Sequence, residues 1–502
     1  MSKNILKDIQ KNLDYIKELL NNCDDLVVRE IEVGEILSIK MAIVYIDGLI
    51  DKSFVSEYAI ASIIGEEELK SFTLQGYRTT ILEVVKKEVL ATSDIKEESE
   101  WDKIINSILS GDTLLLIDNA DKGIIIGSRT SPVRSVDEPR TEAVIRGPRE
   151  GFTEVLKINT SLVRRKIKDP KLKVRMYSVG RRTKTNIAVM YIEDIVDDKL
   201  LDEVNKRLDN VDIDGILDSS MLENLIEDNY LSPFPQIGST ERPDSVAASI
   251  LEGRIGILVD NSPFALMVPA TLGTLMQSSE DYYTRWLEAS ATRLLRIVAL
   301  ALILLPSPLY VAITAYHPGL LPTKLIYYLA ASRINVPFPS AVEAIMMDFT
   351  MELLRESGTR MSGPIGSTIG IVGGLIIGQA AVEAGIVSPL MIIIVSVSTI
   401  ATFAIPSYEL SAAFRLIKFL FIILAAILGL YGIMLGIILI GTHLTILTSF
   451  GIPYTSPYSG LGIEQGDLKD TLIKAPIQKL WKRPGFTNPK NKKRMKRVDK
   501  DE

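Results

Sequence analysis

Residues 282–463 carry only nine lysines or arginines and seven aspartates or glutamates, whereas residues 1–281 carry 35 and 49. A chain divided in this way cannot surround one core with one water-facing shell. Its first part has the charge density of a soluble protein, and its second part reads as membrane-embedded. At 502 residues there is length for two or three domains. Cys23 is the only cysteine, which excludes an intrachain disulfide and a cysteine zinc site. The two histidines, His317 and His443, lie far apart in the apolar part, so a histidine triad or multi-histidine metal centre is excluded too. No catalytic group, metal or cofactor is expected.

Residues 1–24 do not form a signal peptide, because charges interrupt them throughout. Ile5, Ile9, Leu13, Ile16 and Leu20 recur at helical spacing and predict a short amphipathic helix packed on the rest of the protein. The alternative, a helix lying on a membrane, would set Asp8, Asp14 and Glu18 against anionic lipid.

The soluble part repeats itself. Shifted by 146 positions without a gap, Val28, Arg29, Val33, Gly34, Ala42, Tyr45, Ile46, Asp51 and Glu57 meet identical residues between Val174 and Glu203. Further on, "GDTLLLIDNADKGIIIG" from Gly111 parallels "GRIGILVDNSPFALMVP" from Gly253. Both read as a hairpin turning at Asp118-Asn119 or Asp260-Asn261. The expected fold is therefore two duplicated α/β lobes, residues 25–130 and 172–280, followed by an α-helical multi-span domain at 281–455 and a basic tail at 456–502. A chance likeness of two strand–turn–strand units is the competing explanation. Neither lobe contains a phosphate loop or a defensible pair of catalytic carboxylates.

Between the lobes, residues 131–171 form an arginine-rich connector that opens with "SPVRSVDEPRTEAVIRGPREGF". Arg134, Arg140, Arg146 and Arg149 lie in it, and Arg181 and Arg182 follow in the second lobe. Nucleic acid would need an unopposed basic surface with aromatic groups to stack bases, yet the flanking lobes are acidic and the only aromatics here are Phe152 and Tyr177. The better reading is that these six arginines make ion pairs between lobes or between subunits. A helix is predicted from Gly151 to Lys168, closed at Asp169-Pro170.

Four to six spans are expected in the apolar part. The first begins at Leu294 and is broken by Pro306 and Pro308; others lie at 365–385 and 386–406. The run 416–449 is too long for one untilted crossing and short for a hairpin. Arg285, Arg293 and Arg296 before the first span, together with the basic tail, place both ends in the cytoplasm. The tail itself is expected to be disordered, with its cations near lipid headgroups. Asp348, Glu352 and Glu356 share one face of a helix between spans. In an oligomer that face becomes rings of carboxylates favouring cations; in the blander reading the helix lies on the membrane surface with its charges in water. Glu383, near the end of the glycine-rich span, is a further acid at membrane depth or at its interface.

Taken together, the connector motif, "VGRRTKTNIAVMYIEDI", "SPFPQIGSTERPD", "SPFALMVPATLG", "EDYYTRWLEASATRLLR", "LPTKLIYYLAASRINVPFPSAVEAIMMDFTMELLRE" and "IGQAAVEAGIVSPLMIIIVSVSTIATFAIPSY" resemble the A subunit of the GerA family of spore germinant receptors. The resemblance runs from about residue 25 to 460, in family order. It implies a non-enzymatic, multi-pass protein of the endospore inner membrane that works with a transporter-like B subunit and a lipoprotein C subunit. It also implies homo-oligomers forming a ligand-gated cation channel. In such a ring Asp348, Glu352 and Glu356 become ion-path residues, with Glu343 near the mouth of the same helix. The alternatives are a related stage V sporulation AF-type protein that amplifies germination, and a secondary transporter, which would be expected to show repeats in its membrane part.

Overall fold

In the computed structural model the described residues are 4–33, 39–51, 95–129, 138–139, 141–359, 374, 376–460, 463 and 467–496. They form two units. One comprises Met1–Glu227, Ile237–Pro269 and Lys482–Lys496; the other is chiefly Ala270–Trp481, with Asp228–Gln236.

In the first unit, helix α1 (Ile9–Leu19) starts where the Asp8 carboxylate accepts hydrogen bonds from the backbone N–H of Gln10 and Lys11. Ile5, Ile9, Leu13, Ile16 and Leu20 are all buried, in one core with Ala42, Val44, Trp101, Ile104 and Leu114. The apolar face is thus covered by the chain's own sheet and is not offered to lipid. That sheet has strands β1 (Leu26–Val33), β2 (Ile39–Ile46), β3 (Ile95–Glu98), β4 (Thr113–Ile117) and β5 (Gly123–Ile126), in the order β1-β2-β4-β5-β3. Helix α2 (Trp101–Leu109) packs on it with Trp101, Ile104 and Ile108.

The second lobe repeats this plan. Its helix α3 (Leu156–Lys166) precedes β6 (Leu172–Val179), β7 (Thr185–Ile192), β8 (Gly238–Thr240), β9 (Ile255–Val259) and β10 (Ala265–Val268), in the order β6-β7-β9-β10-β8. Between β7 and β8 lie α4 (Asp198–Asp209) and α5 (Ser219–Ile226); α6 (Pro243–Leu251) corresponds to α2. The registers match as well: Leu26 faces Ile46 in one sheet and Leu172 faces Ile192 in the other. At the hairpin turns Asn119 and Asn261 have φ of 64° and 66°, a conformation that asparagine tolerates. All the strand pairings are antiparallel; short connections join β1 to β2, β4 to β5, β6 to β7 and β9 to β10, while β3 and β8 reach the far edge of their sheets by longer connections and return through α2 and α6.

The repeat reaches beyond the strands. Asn12 bonds both the N–H and the carbonyl of Leu6, and Asn159 does the same with Thr153. Asn119 N–H donates to the Lys7 carbonyl, and Asn261 N–H to that of Glu154, each at 2.8 Å. The lobe boundaries drawn from sequence therefore move: α1 is the first element of lobe 1, and α3, assigned to the connector, is the first element of lobe 2. Strand alternation marked where the lobes continue, but it could not mark where a preceding helix belongs.

Residues 482–496 of the basic tail pack on lobe 2, where a disordered tail was expected. Lys490 Nζ lies 2.6 Å from Asp198 Oδ1, and Asn488 Nδ2 donates to Asp197 Oδ2 at 3.0 Å. Thr487 Oγ1 donates to the Glu252 carbonyl at 2.8 Å, and Phe486 is buried. Lys490 thus meets an acidic group of its own chain, and Arg483 donates to the Leu251 carbonyl.

The second unit is helical. Helices α7 (Leu272–Leu275) and α8 (Glu280–Tyr283) lead into α9 (Trp286–Leu304) and α10 (Pro306–Ala315), which bend by 44° at the proline pair. Pro306 and Pro308 lack the N–H groups that would meet the carbonyls of Leu302 and Leu304. Then come α11 (Thr323–Arg333), α12 (Ser340–Thr359), α13 (Pro389–Thr402), α14 (Tyr408–Leu428) and α15 (Leu430–Ile446). The run 416–449 is a helical hairpin, contrary to the expectation from its length, because α14 starts well before the apolar run. Gly429 turns the chain with φ of 62°, and a Cβ on Gly432 would collide with the Leu424 carbonyl oxygen, so the helices touch backbone to backbone. Residues 365–373 and 375 of the predicted span 365–385 lie outside the described residues; 376–383 are helical. Among the described residues α14 alone is long and apolar enough to cross a bilayer, the bent α9–α10 pair passes together, and α13 and α15 are shorter.

Candidate functional site

Two of the places that gather buried charge bear on the residues singled out from sequence. The first joins the two lobes. Arg164 projects from α3 and is almost fully buried; it donates from Nε and Nη2 to both oxygens of Asp25, with Nη2–Oδ1 at 2.8 Å. Its Nη1 donates to the Leu172 carbonyl. Beside it, buried Lys173 reaches Asn21 Oδ1 at 2.6 Å, and the Asp24 carboxylate accepts from Met176 N–H at 2.6 Å. A planar guanidinium gripping both oxygens of one carboxylate is the geometry in which a buried pair offsets its desolvation cost.

Of the six arginines expected to make contacts between lobes or between subunits, the described ones make no ion pair between the lobes. Arg134 and Arg140 lie outside the described residues. Arg146 is exposed, and Arg149 pairs with Glu138 at 3.3 Å with both side chains about two-thirds exposed. Arg181 pairs with Asp212 and Asp214, and Arg182 with Asp214, all within lobe 2. The connector is instead held through its backbone. Buried Arg242 donates to the carbonyls of Glu142 and Pro148 at 3.1 and 2.8 Å, and Glu241 takes the N–H groups of Thr141 and Phe152. Thr240 Oγ1 donates to Glu142 Oε2 at 2.5 Å. Burial pushes the Glu142 carboxyl up to about 7, against the lowering effect of that hydrogen bond. The motif "STERPD" of lobe 2 thus holds the arginine-rich motif, and Arg164 was missed because nothing in sequence separates it from exposed Arg165.

The second place is the face of α12. Glu343 is fully buried and well satisfied: Ser388 N–H and Oγ both donate to it at 2.6 Å, Tyr310 OH lies at 3.4 Å and Arg333 at 3.7 Å. Asp348, one turn and a little further on, is also buried and meets Lys418 Nζ of α14 at 2.7 Å. Its other oxygen, Oδ2, has no hydrogen-bond partner among the described residues. Lys418 has one further neighbour, Ser398 Oγ at 3.5 Å, which itself donates to the Ile303 carbonyl beside the α9–α10 break. Ser307, just past that break, is buried with its hydroxyl unpartnered. Glu352 is partly exposed and pairs with Arg415 at 3.1 Å, while Glu356 is exposed. Glu383 lies on the helical segment 376–383 and accepts from Gln379 at 3.2 Å.

The acidic stripe is therefore graded, from exposed Glu356 through half-exposed Glu352 to buried Asp348. Two of its three acids are neutralised by α14, whose Arg415 and Lys418 run antiparallel to Glu352 and Asp348. Sequence reading flagged the acids and passed over these cations. The signal was there: a lysine or arginine within an apolar helix is as costly as an acid and asks for a partner.

A family model described as Bacillus/Clostridium GerA spore germination protein matches residues 14–486. The chain is 41% identical over 491 residues to Spore germination protein KA of Bacillus subtilis (strain 168), covering 98% of this chain and 89% of that protein. It is 41% identical over 500 residues to a protein of the same organism named Uncharacterized membrane protein YfkQ, covering 99% and 95%. Among solved structures it is similar to the N-terminal domain of the A subunit of the Bacillus megaterium spore germinant receptor GerK3. That likeness is 33% identical and covers 54% of this chain and 98% of the domain, with a TM-score of 0.43.

Proposed function

The chain belongs to the Bacillus/Clostridium GerA family of spore germination proteins, and we propose that it is the membrane A subunit of a nutrient germinant receptor, releasing monovalent cations when the receptor is triggered. The observation that carries this reading is the family match over residues 14–486, which takes in both the lobes and the helical unit. In the proposal the helical unit sits in the endospore inner membrane with four to six crossings and both chain ends in the cytoplasm. Exposed Leu295, Ile393, Ile400, Phe403, Ile438 and Ile446 support a lipid-facing or subunit-facing surface, since a water-facing bundle would not present so much apolar area. The subunit acts as an oligomer with a transporter-like B subunit and a lipoprotein C subunit, and not as an enzyme. Its cation path runs along α12, where Glu356, Glu352 and Asp348 lead from surface to interior.

The test uses spores carrying this chain as their only A subunit and a rich broth as trigger. Replacing Asp348, Glu352 and Glu356 together by Asn, Gln and Gln should slow early potassium release at least tenfold while the protein level holds. Unchanged release at unchanged level would overturn the cation path along α12.

A further inference from the structure

Glu343 and Asp348 stand on the same helix, are equally hidden, and are treated differently. Glu343 is met by four donors from three side chains and one backbone N–H. Asp348 is met by one, the Lys418 ammonium, and leaves Oδ2 bare in the interior. A buried ion pair kept only for structure is expected to satisfy its remaining lone pairs and protons, because desolvation otherwise outweighs the attraction. Lys418 likewise offers three N–H groups and places one well. The spare acceptors are oxygens: Asp348 Oδ2 beside Lys418 and, elsewhere, at the helix break, the idle Ser307 hydroxyl, with Ser398 linking Lys418 to the Ile303 carbonyl at that break. These oxygen donors are what a desolvated monovalent cation takes, and broken helices supply them in other membrane proteins.

We propose that Asp348 is a monovalent-cation site kept filled by Lys418, whose ammonium is a tethered cation that must swing away before a mobile one can bind. The proposal rests on the cation-path reading above and adds its regulation. Glu352 and Glu356 form the approach, and Lys418 is the positioning residue that sets whether the site is open. With Lys418 in place the stripe ends in a neutral pair and holds no free ion. Moving α14 against α12 withdraws the ammonium and leaves the Asp348 carboxylate for potassium or sodium, so a shift between two helices becomes a change in ion occupancy.

Lys418→Met in the full-length, detergent-solubilised chain separates the two ideas. Its unfolding midpoint should rise by roughly 5 °C when choline chloride is replaced by potassium chloride, because an ion that binds only the folded state stabilises it. The wild type, its site already filled, should shift by less than about 1 °C, and Asp348→Asn/Lys418→Met should not shift beyond the wild type. Equal shifts in all three proteins would overturn the site. Where Lys418→Met is not recovered folded, Lys418→Arg decides. Its planar head can reach both oxygens of Asp348, so broth-triggered potassium release from spores should slow at least fivefold at normal protein level. Unchanged release in that variant would overturn the proposal. A potassium-specific shift in Lys418→Met together with normal release in the Asp348, Glu352, Glu356 triple variant would keep the ion site and remove the cation-path reading.

Discussion

Arg164 and Lys418 are both buried cations facing a buried aspartate, and they are built for different work. Arg164 grips both oxygens of Asp25 and gives a further N–H to a carbonyl, so each of its three nitrogens has a partner. Lys418 makes one close contact and leaves an acceptor of Asp348 unused. A fully satisfied pair has one good arrangement and resists change. An under-satisfied pair has less to lose when its partner moves. The first unit thus fixes two repeated lobes to each other, while the helical unit keeps a charge pair that can be exchanged.

The largest expected effect breaks the fixed side. Arg164→Met leaves Asp25 buried without its cation and should cost about 3–5 kcal/mol of stability, read as loss of full-length protein and a lower unfolding midpoint. A loss below about 1 kcal/mol would mean that the lobes do not depend on this pair. Gly432→Ala tests whether the helical unit also has rigid places. With the new Cβ driven into the Leu424 carbonyl, α14 and α15 must separate, at roughly 1–3 kcal/mol, again measured by unfolding. An unchanged midpoint would mean that the hairpin is looser than its backbone contact implies.

A smaller effect distinguishes the connector by pH. The Glu142 carboxyl is raised from the ordinary 4.5 to about 7 by burial, so the folded state holds its proton where the unfolded state has lost it. Its contribution to stability is full below about 4.5, declines as pH rises toward about 7, and is flat above that. Glu142→Gln should remove that slope and raise stability at pH 8 relative to the parent. A parallel pH profile in both proteins would place the Glu142 carboxyl in water. The smallest effect belongs to the motif arginines: Arg146→Ala with Arg149→Ala should change stability by less than about 0.5 kcal/mol, because the exposed Arg149–Glu138 pair is screened. A fall in subunit assembly without a fall in stability would assign them to a contact with another chain.

Much of this fold could be read from residue order. The 146-position match predicted two like sheets, and the sheets share strand order and register because the same alternation of apolar residues fixes the same pairings. The prolines at 306 and 308 marked the bend. What could not be read was long-range. Arg164 and Arg165 are neighbours of one type, and only the packing of α3 sends one to Asp25 and the other to the surface. Composition marked the tail as basic, but its partners Asp197 and Asp198 lie far back in the chain. The acids of α12 stood out because acids are rare in an apolar run, whereas their cations, on a helix some sixty residues later, did not.

Resting potassium efflux from vesicles tests the central claim most directly, with Lys418→Met and Arg164→Lys full-length chains reconstituted side by side with their partner subunits. The account predicts at least a tenfold faster untriggered leak through Lys418→Met, where Asp348 is left to mobile ions, and a wild-type rate through Arg164→Lys. Equal rates in the two variants, whether both tight or both leaking, would contradict it.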